Sequence, residues 1–363
     1  MLKLAKYAIK STKGNQVKIE RARLSDYFFF LSAFIVIVAG LYNASDIVVI
    51  FILAIFIATI LSALIRYLQT YKIPKLISYL VAFVIILAFI LFIAYIMGSS
   101  LSSFLGNIPS YESKLKSLLA SSIMYLNGFD LNIDPQEVSK LINFDDFVSV
   151  GTGLLGNLSS LASKALLVAI GIGFILSEAK SFEDKLKIVF STDDRQIENF
   201  NEFSHNIQQY FIVKTLTSFL TGVLVFFTVY FFGIEYPFLW AIIAFLFNFI
   251  PVVGSIIAAA PALLLSLTNG GVEPTLWLMV CYFLVNISIS NALEPKLMGD
   301  ELGLSPMVIF FSLIFWGWVL GIAGAFLAVP ITMSLKIACE SSSKTQWLAL
   351  LLSNVSRMNK SNN

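Results

Sequence analysis

Residues 248–261 read NFIPVVGSIIAAAP, and they sit in the middle of a run, 236–272, that carries no charged side chain. Asn248, Pro251, Gly254 and Pro261 are poor material for an ordinary membrane-spanning helix. Proline removes a backbone donor and clashes with the preceding turn, and glycine adds conformational freedom. At about 1.5 Å per residue the 37-residue run would make a helix of about 55 Å, against a hydrocarbon core of about 30 Å. A second uncharged run, 302–335, has the same excess length and carries Gly317, Gly321 and Gly324 near its middle. Neither is long enough for two comfortable crossings. A re-entrant hairpin of two half-helices fits both length and break; a single tilted, kinked crossing is the alternative. Irregular backbone at membrane depth is tolerated only where protein or a water-lined cavity covers it. The quoted stretch is therefore expected to be a hairpin tip lining a polar cavity.

The rest of the 363-residue chain supports a membrane setting. It is 58% hydrophobic and 13% charged, with 33 Phe, whereas soluble domains average about 25% charged residues. Apolar runs of spanning length occur at 27–43, 47–65, 76–98, 158–178, 212–233 and 275–293. The expected fold is an all-α polytopic membrane protein. About six full transmembrane helices are joined by two broken or re-entrant hairpins, about eight hydrophobic segments in all, with amphipathic surface helices. Residues 1–26 hold seven basic side chains against Glu20 and Asp26, and 66–75 adds Arg66, Lys72 and Lys75 without an acid. The tail has Lys336, Lys344, Arg357 and Lys360 against Glu340, whereas 101–157 holds six acids and three lysines. Basic excess marks cytoplasmic segments, so both termini are expected inside and 101–157 outside. The basic stretch before 27–42 is too long for a signal-peptide n-region and no A-x-A pattern follows, so this run is read as a retained helix.

Five regions are expected: 1–100, the basic segment and three spans; 101–157, an extracytoplasmic amphipathic region; 158–211, a fourth span and a cytoplasmic amphipathic helix; 212–340, a transport core with both hairpins; and 341–363, a cytoplasmic tail. In the outer region Ile108, Tyr111, Leu115, Leu118 and Leu119 recur at helical spacing, with Pro109 placed as a helix start and Gly128 as its end. Asp134 to Glu137 resembles a capping box. On the inner side Ile197, Phe200, Phe203, Ile207 and Tyr210 form an apolar stripe opposite Glu198, Glu202, His205 and Gln209. Such helices lie on the membrane surface or against another subunit. The hairpins also suggest an inverted repeat: each follows a full span, 212–233 or 275–293, and each second arm holds a proline, Pro261 or Pro330. Inverted repeats with broken helices point to a transporter binding site.

The densest polar content beside a span is NISISNALEPKLMGDELGLSP, 286–306. Asn286, Ser290 and Glu294, spaced by four, share one helix face, and a polar stripe on a spanning helix faces the bundle interior. Glu294 is read either as an ion- or proton-handling carboxylate or as a helix-end anchor, with Lys296 as its ion partner by proximity. Lys164 is expected to snorkel outward, Glu178 and Lys180 to anchor a helix end, and Glu235 to sit in a solvated turn. Cys281 and Cys339 form no CxxC pair. A lone histidine, His205, excludes an HExxH site, and no phosphate-binding loop GxxxxGK[ST] occurs. No Ser or Cys nucleophile has a plausible histidine partner, so no enzymatic activity is expected.

In 233–267 and 291–336, Ile250-Pro251 with Gly254, Asn291 with Pro295 to Gly299, Leu302 to Pro306, and Ala328-Val329-Pro330 appear in an order that resembles the autoinducer-2 exporter family of permeases. The likeness is close over 205–340 and one of layout over the first 200 residues. Ser255 stands where the family often has proline, and Ser305 where it often has histidine. The resemblance implies export of small signalling or metabolite molecules, Na⁺(Li⁺)/H⁺ exchange, or sporulation-linked membrane roles, according to the member.

The expectation is a secondary transporter of the bacterial cytoplasmic membrane, exporting a small polar, autoinducer-2-like solute with a proton or cation gradient. A Na⁺(Li⁺)/H⁺ antiporter and a non-transporting assembly protein are the alternatives. Asn248, Pro251 and Gly254 would shape one tip, and Gly317, Gly321 and Gly324 the other. Asn286, Ser290 and Asn291 would hydrogen-bond the solute, Glu294 would couple, and Lys296 would pair with it. The expected partners are the solute, H⁺ or Na⁺, the lipid bilayer and further copies of the chain. Neither a cofactor, a metal site nor a nucleic acid is expected.

Overall fold

The computed structural model describes residues 24–127, 164–179, 194–251, 253–298, 304–340 and 345–353, with a few isolated positions between 152 and 188. The capping box at 134–137, Lys180, the 299–303 segment and the side chains of Ile197, Phe200 and Phe203 lie outside the described residues. The chain is an all-α polytopic membrane protein, and among the described residues it has no strand. Among the described residues six helical stretches are long and apolar enough to cross a bilayer: Ser45–Thr70, Lys75–Ser121, His205–Phe231, Val253–Gly270, Val272–Met298 and Pro306–Glu340. The first helix, α1 (Leu24–Asn43), belongs to a separate compact unit that ends at Ala44.

The second unit begins with α2 (Ser45–Thr70) and α3 (Lys75–Asn127). With α4 (164–179) they share a core of Ala54, Ala58, Leu61, Ile65, Ala82, Val168 and Ile172. Small residues on α2 let the helices approach closely; a Cβ on Gly171 would stand 3.0 Å from that of Ala54. Helix α3 corrects the expectation of a span followed by a separate surface helix. It runs 53 residues, with Pro109 in its interior. Leu101, Phe104, Ile108, Tyr111 and Leu115 form one buried stripe through the proline, and this continuous packing holds the helix together across the lost backbone bond.

Helix α5 (Asp194–Phe231) likewise joins the inner amphipathic stretch to the following span in one rod. Then comes the first hairpin: α6 (Pro237–Phe247), a turn at 248–251, and α7 (Val253–Gly270). At 11 residues, α6 is about 16 Å long, half a bilayer. The hairpin returns to its starting level, because Asn269 at its exit donates to the Glu235 carboxylate at its entrance over 3.5 Å. Tyr111 of α3 donates to the other Glu235 oxygen at 2.5 Å, and Lys114 donates to Asn269 at 2.9 Å. Glu235 is thus exposed, as read, and also clasps the hairpin base. At the tip, Gly254 leaves no room for a Cβ, which would stand 1.8 Å from the Phe247 carbonyl oxygen.

Helix α8 (Val272–Asn286) passes into a π-helical turn (Ile287–Leu293) and a short α9 (Glu294–Met298). The 35-residue α10 (Pro306–Glu340) is the second hairpin. Gly321 breaks it at φ 68°, ψ −154°, a region open essentially to glycine alone. The Trp316 indole donates to Thr332 Oγ1 over 3.2 Å, yet residues 16 apart on a straight helix would be about 24 Å apart. The chain therefore folds back on itself. Gly324 sits against the Trp316 carbonyl, 2.0 Å from a would-be Cβ, a close approach like that of Gly254. Helix α11 (Gln346–Leu352) packs beside the start of α10 through the Ser305 N–H to Leu352 carbonyl bond of 3.0 Å.

Each hairpin anchors in its own core. The first lies with α3, α5 and α8 around Trp240, Leu265 and Leu278; the second with α2 and α5 around Tyr210, Phe211 and Met333. Their tips meet through aromatic rings, with Phe326 6.3 Å from Phe247 and 6.1 Å from Phe249 between ring centroids.

Candidate functional site

The middle of α5 supplies one wall of the site. Lys214, Thr217, Ser218 and Thr221 recur at helical spacing and all are buried. Thr217 and Thr221 return their hydroxyl protons to the Lys214 and Thr217 carbonyls, at 3.1 and 2.9 Å, which leaves oxygen lone pairs to accept. Asn248, at the first hairpin tip, is buried and donates its amide to Ser218 Oγ at 3.0 Å. Its partner explains why an amide is tolerated there: a buried polar group costs little once it is hydrogen-bonded. Pro251 is half-buried in the same turn and Gly254 is buried behind it.

The opposite wall is the α8–π–α9 rod. Asn286, Ser290 and Glu294 are all half-buried, and Ser290 Oγ donates to Asn286 Oδ1 at 3.3 Å. The π segment makes i→i+5 bonds, as in the Glu294 N–H to Ile289 carbonyl bond; such widened turns cluster at functional sites. Asn291, by contrast, is exposed. Glu294 meets α5, where Lys214 Nζ donates to both carboxylate oxygens, at 2.8 and 3.0 Å. The Lys214 side chain is 5% exposed and that of Glu294 15%. Lys296 is exposed and is not the partner of Glu294. Adjacency in sequence is a poor guide on a helix, where residues two apart point to different sides.

Lys214 therefore stands out as the residue that sequence reading missed. Its signal was present: one lysine in an otherwise uncharged span, followed by Thr and Ser at the spacing of one face. Gly317 lies in ordinary contact with Ala325 across the second hairpin, 3.6 Å from a would-be Cβ, while Gly321 forms the bend and Gly324 the tight approach. Polar contacts elsewhere sort to the two ends of α5. At one end Arg66 donates to Gln208 at 2.7 Å, and Gln208 donates to Ser62 at 2.8 Å; at the other lies the Glu235 clasp. From Gln208 to Phe231 is about 35 Å of helix, so Ser218 and Asn248 fall near mid-depth. Lys164 pairs with Asp46 at 2.7 Å, and Glu178 with Lys185 at 2.5 Å, each exposed. Among the described residues no group of His, Cys, Asp and Glu could hold a metal ion.

Two broken hairpins meeting tip to tip beside a buried polar layer resemble the broken helices that line transporter binding sites. A family model described as AI-2E family transporter matches residues 31–344, and the chain belongs to this family. It is 34% identical to a Haemophilus influenzae protein over 90% of this chain and 95% of that one. It is 30% identical to the AI-2 transport protein TqsA of Escherichia coli K12, over 90% of this chain and 95% of TqsA. The YhhT protein of the same strain is 29% identical over 89% and 92%.

Proposed function

We propose that this protein is a secondary transporter of the bacterial cytoplasmic membrane that moves a small polar solute between the two hairpin tips. The observation that carries the reading is the Lys214–Glu294 pair, buried between α5 and α9 one helical turn from Ser218, which holds Asn248 of the first hairpin tip. Removing two charges from water costs several kcal/mol per ion, and intramembrane ionisable groups mark ion and substrate paths. The likeness to a protein named as an AI-2 transport protein makes an autoinducer-2-like solute the first to assay, moving outward. Glu294 is the coupling carboxylate, Asn248, Ser218, Asn286 and Ser290 supply hydrogen bonds, and Asn291 lies outside the central layer. Na⁺(Li⁺)/H⁺ exchange is the second reading, and the same pair supports it, since a metal cation can compete with an ammonium for Glu294.

Movement requires the tips to part. With Cys281 and Cys339 replaced, Phe247→Cys with Phe326→Cys joined by a short bifunctional thiol reagent should abolish solute flux into proteoliposomes, by at least tenfold. Each single variant treated alike should keep its flux. Undiminished flux in the cross-linked protein would remove the tips from the path.

Orientation follows from the basic segments: both termini inside, the Glu235 clasp outside. Val272→Cys should then react with an impermeant thiol reagent in intact cells, and Lys296→Cys only after permeabilisation. The reverse pattern would place the first hairpin's exit on the inner side.

A further inference from the structure

We infer that the solute is recognised through a carboxylate, which replaces Glu294 on Lys214 while Glu294 takes up one proton; this rests on the transport reading above and specifies its substrate class. Lys214 is almost wholly enclosed, and among the described residues Glu294 is the one carboxylate bonded to it. A buried ammonium cannot be left without a counter-charge. When a proton reaches Glu294, the pair loses its negative member, and Lys214 must acquire another anion or give up its own proton. The exchange balances without a further reactant. Glu294 carboxylate, a proton and a solute carboxylate become Glu294 carboxylic acid and a solute carboxylate held by Lys214. The net charge of the buried layer is the same before and after, so the loaded site is no harder to bury than the empty one.

The surroundings favour an anion over a metal cation. Lys214 already holds a carboxylate by both oxygens, so the ammonium is placed for that group. Asn248 presents an amide donor one turn along the stripe. A metal cation would instead need several oxygen ligands around Glu294 and would have to expel the Lys214 proton. Among the described residues the other ionisable groups on the packed elements are few. Tyr210 on α5 is buried within electrostatic reach of Glu294, Tyr282 on α8 is buried, and Lys336 on α10 is paired with Glu340 at 3.3 Å. Lys296 on α9 and His205 on α5 are exposed. None of these supplies a competing carboxylate to Lys214.

The test is proton uptake by the purified full-length protein in weakly buffered detergent solution, titrated with sodium formate, acetate and lactate against sodium chloride and choline chloride. About one proton should be taken up per chain as a carboxylate saturates, and the apparent affinity should rise as pH falls, about tenfold per unit where one proton is bound with each anion. Glu294→Gln leaves Lys214 without its counter-charge, so this variant should bind the same anions, with the proton now returned to Lys214 rather than to residue 294. Formate or acetate should also raise its melting temperature more than chloride does. Lys214→Met should bind none. Proton release on adding Na⁺ with no response to any of the three carboxylates would overturn the inference in favour of cation exchange, as would carboxylate binding that moves no proton. The transport reading fails separately. Protein that binds a carboxylate with a proton but carries none into liposomes keeps this site and loses transport. Protein that carries an autoinducer-2-like solute with no carboxylate response keeps transport and loses this site.

Discussion

Lys214→Met alone and Glu294→Gln alone should each lower stability by about 3–5 kcal/mol, and the double substitution should recover most of that loss. Removing one member of a buried pair strands the other, whereas replacing both with uncharged groups of similar size is often close to neutral. The two single variants should also differ in a way that identifies the mechanism. A stranded glutamate can escape its burial by taking a proton, which at pH 7 costs about 3.7 kcal/mol for a group that ordinarily titrates near 4.3. A stranded lysine can escape by losing one, at about 4.6 kcal/mol for an ordinary value near 10.4. So Glu294→Gln should be the worse of the two at neutral pH, by about 1 kcal/mol. Linkage fixes the opposite signs of their pH dependence. The folded Lys214→Met protein binds more protons than its unfolded chain and gains stability as pH falls, whereas the folded Glu294→Gln protein binds fewer and gains stability as pH rises. Unfolding in mixed micelles at pH 5, 7 and 9, with all four members of the cycle, checks this. Additive losses in the double variant would mean that the two side chains contribute independently, and the pair would lose its place as the centre of the site.

That pair also marks the boundary of what the sequence could convey. The breaks were legible because each depends on a residue with special backbone behaviour. Gly254 and Gly321 sit at or beside the turns, and uncharged runs of 37 and 34 residues have no simple crossing to adopt. Glu294 was legible as an acid at the end of a polar stripe. Its partner was not, because Lys214 lies 80 residues away and the two meet only once α5 and α9 pack. The continuity of α3 was hidden for a related reason. Pro109 is a breaker by local rules, and the force that overrides it is burial of Ile108 and Tyr111 in the core of the first hairpin. Asn269 closing the hairpin base onto Glu235 is again a long-range contact. Local chemistry announced where the chain would bend; only packing determined what each bend would touch.

The sharpest consequence of those bends concerns the two tip glycines. A Cβ added to Gly254 would stand 1.8 Å from the Phe247 carbonyl oxygen, and one added to Gly324 would stand 2.0 Å from that of Trp316 and 2.6 Å from Leu320 Cβ. Both oxygens are backbone atoms of the first arm, so no rotamer change relieves the clash. The hairpin itself must open, which also disturbs the Phe247, Phe249 and Phe326 contacts between tips. Overpacking usually costs about 1–3 kcal/mol and more where nothing can yield, so Gly254→Ala and Gly324→Ala should each fall at or beyond the upper end, with flux lost. Gly321→Ala should cost about 1–3 kcal/mol for a different reason, its backbone region, since nothing lies within 4 Å of its would-be Cβ. Gly317→Ala meets only Ala325 Cβ at an ordinary 3.6 Å, and alanine's helix propensity favours it by about 1 kcal/mol, so this variant should be neutral or stabilising. Thermal unfolding followed by size-exclusion chromatography, with flux measured on whatever protein remains monodisperse, gives the order directly. A Gly254→Ala protein that melts and transports like the parent would show that the first tip is not closed against its own arm, and the enclosed layer around Asn248 would lose its lid.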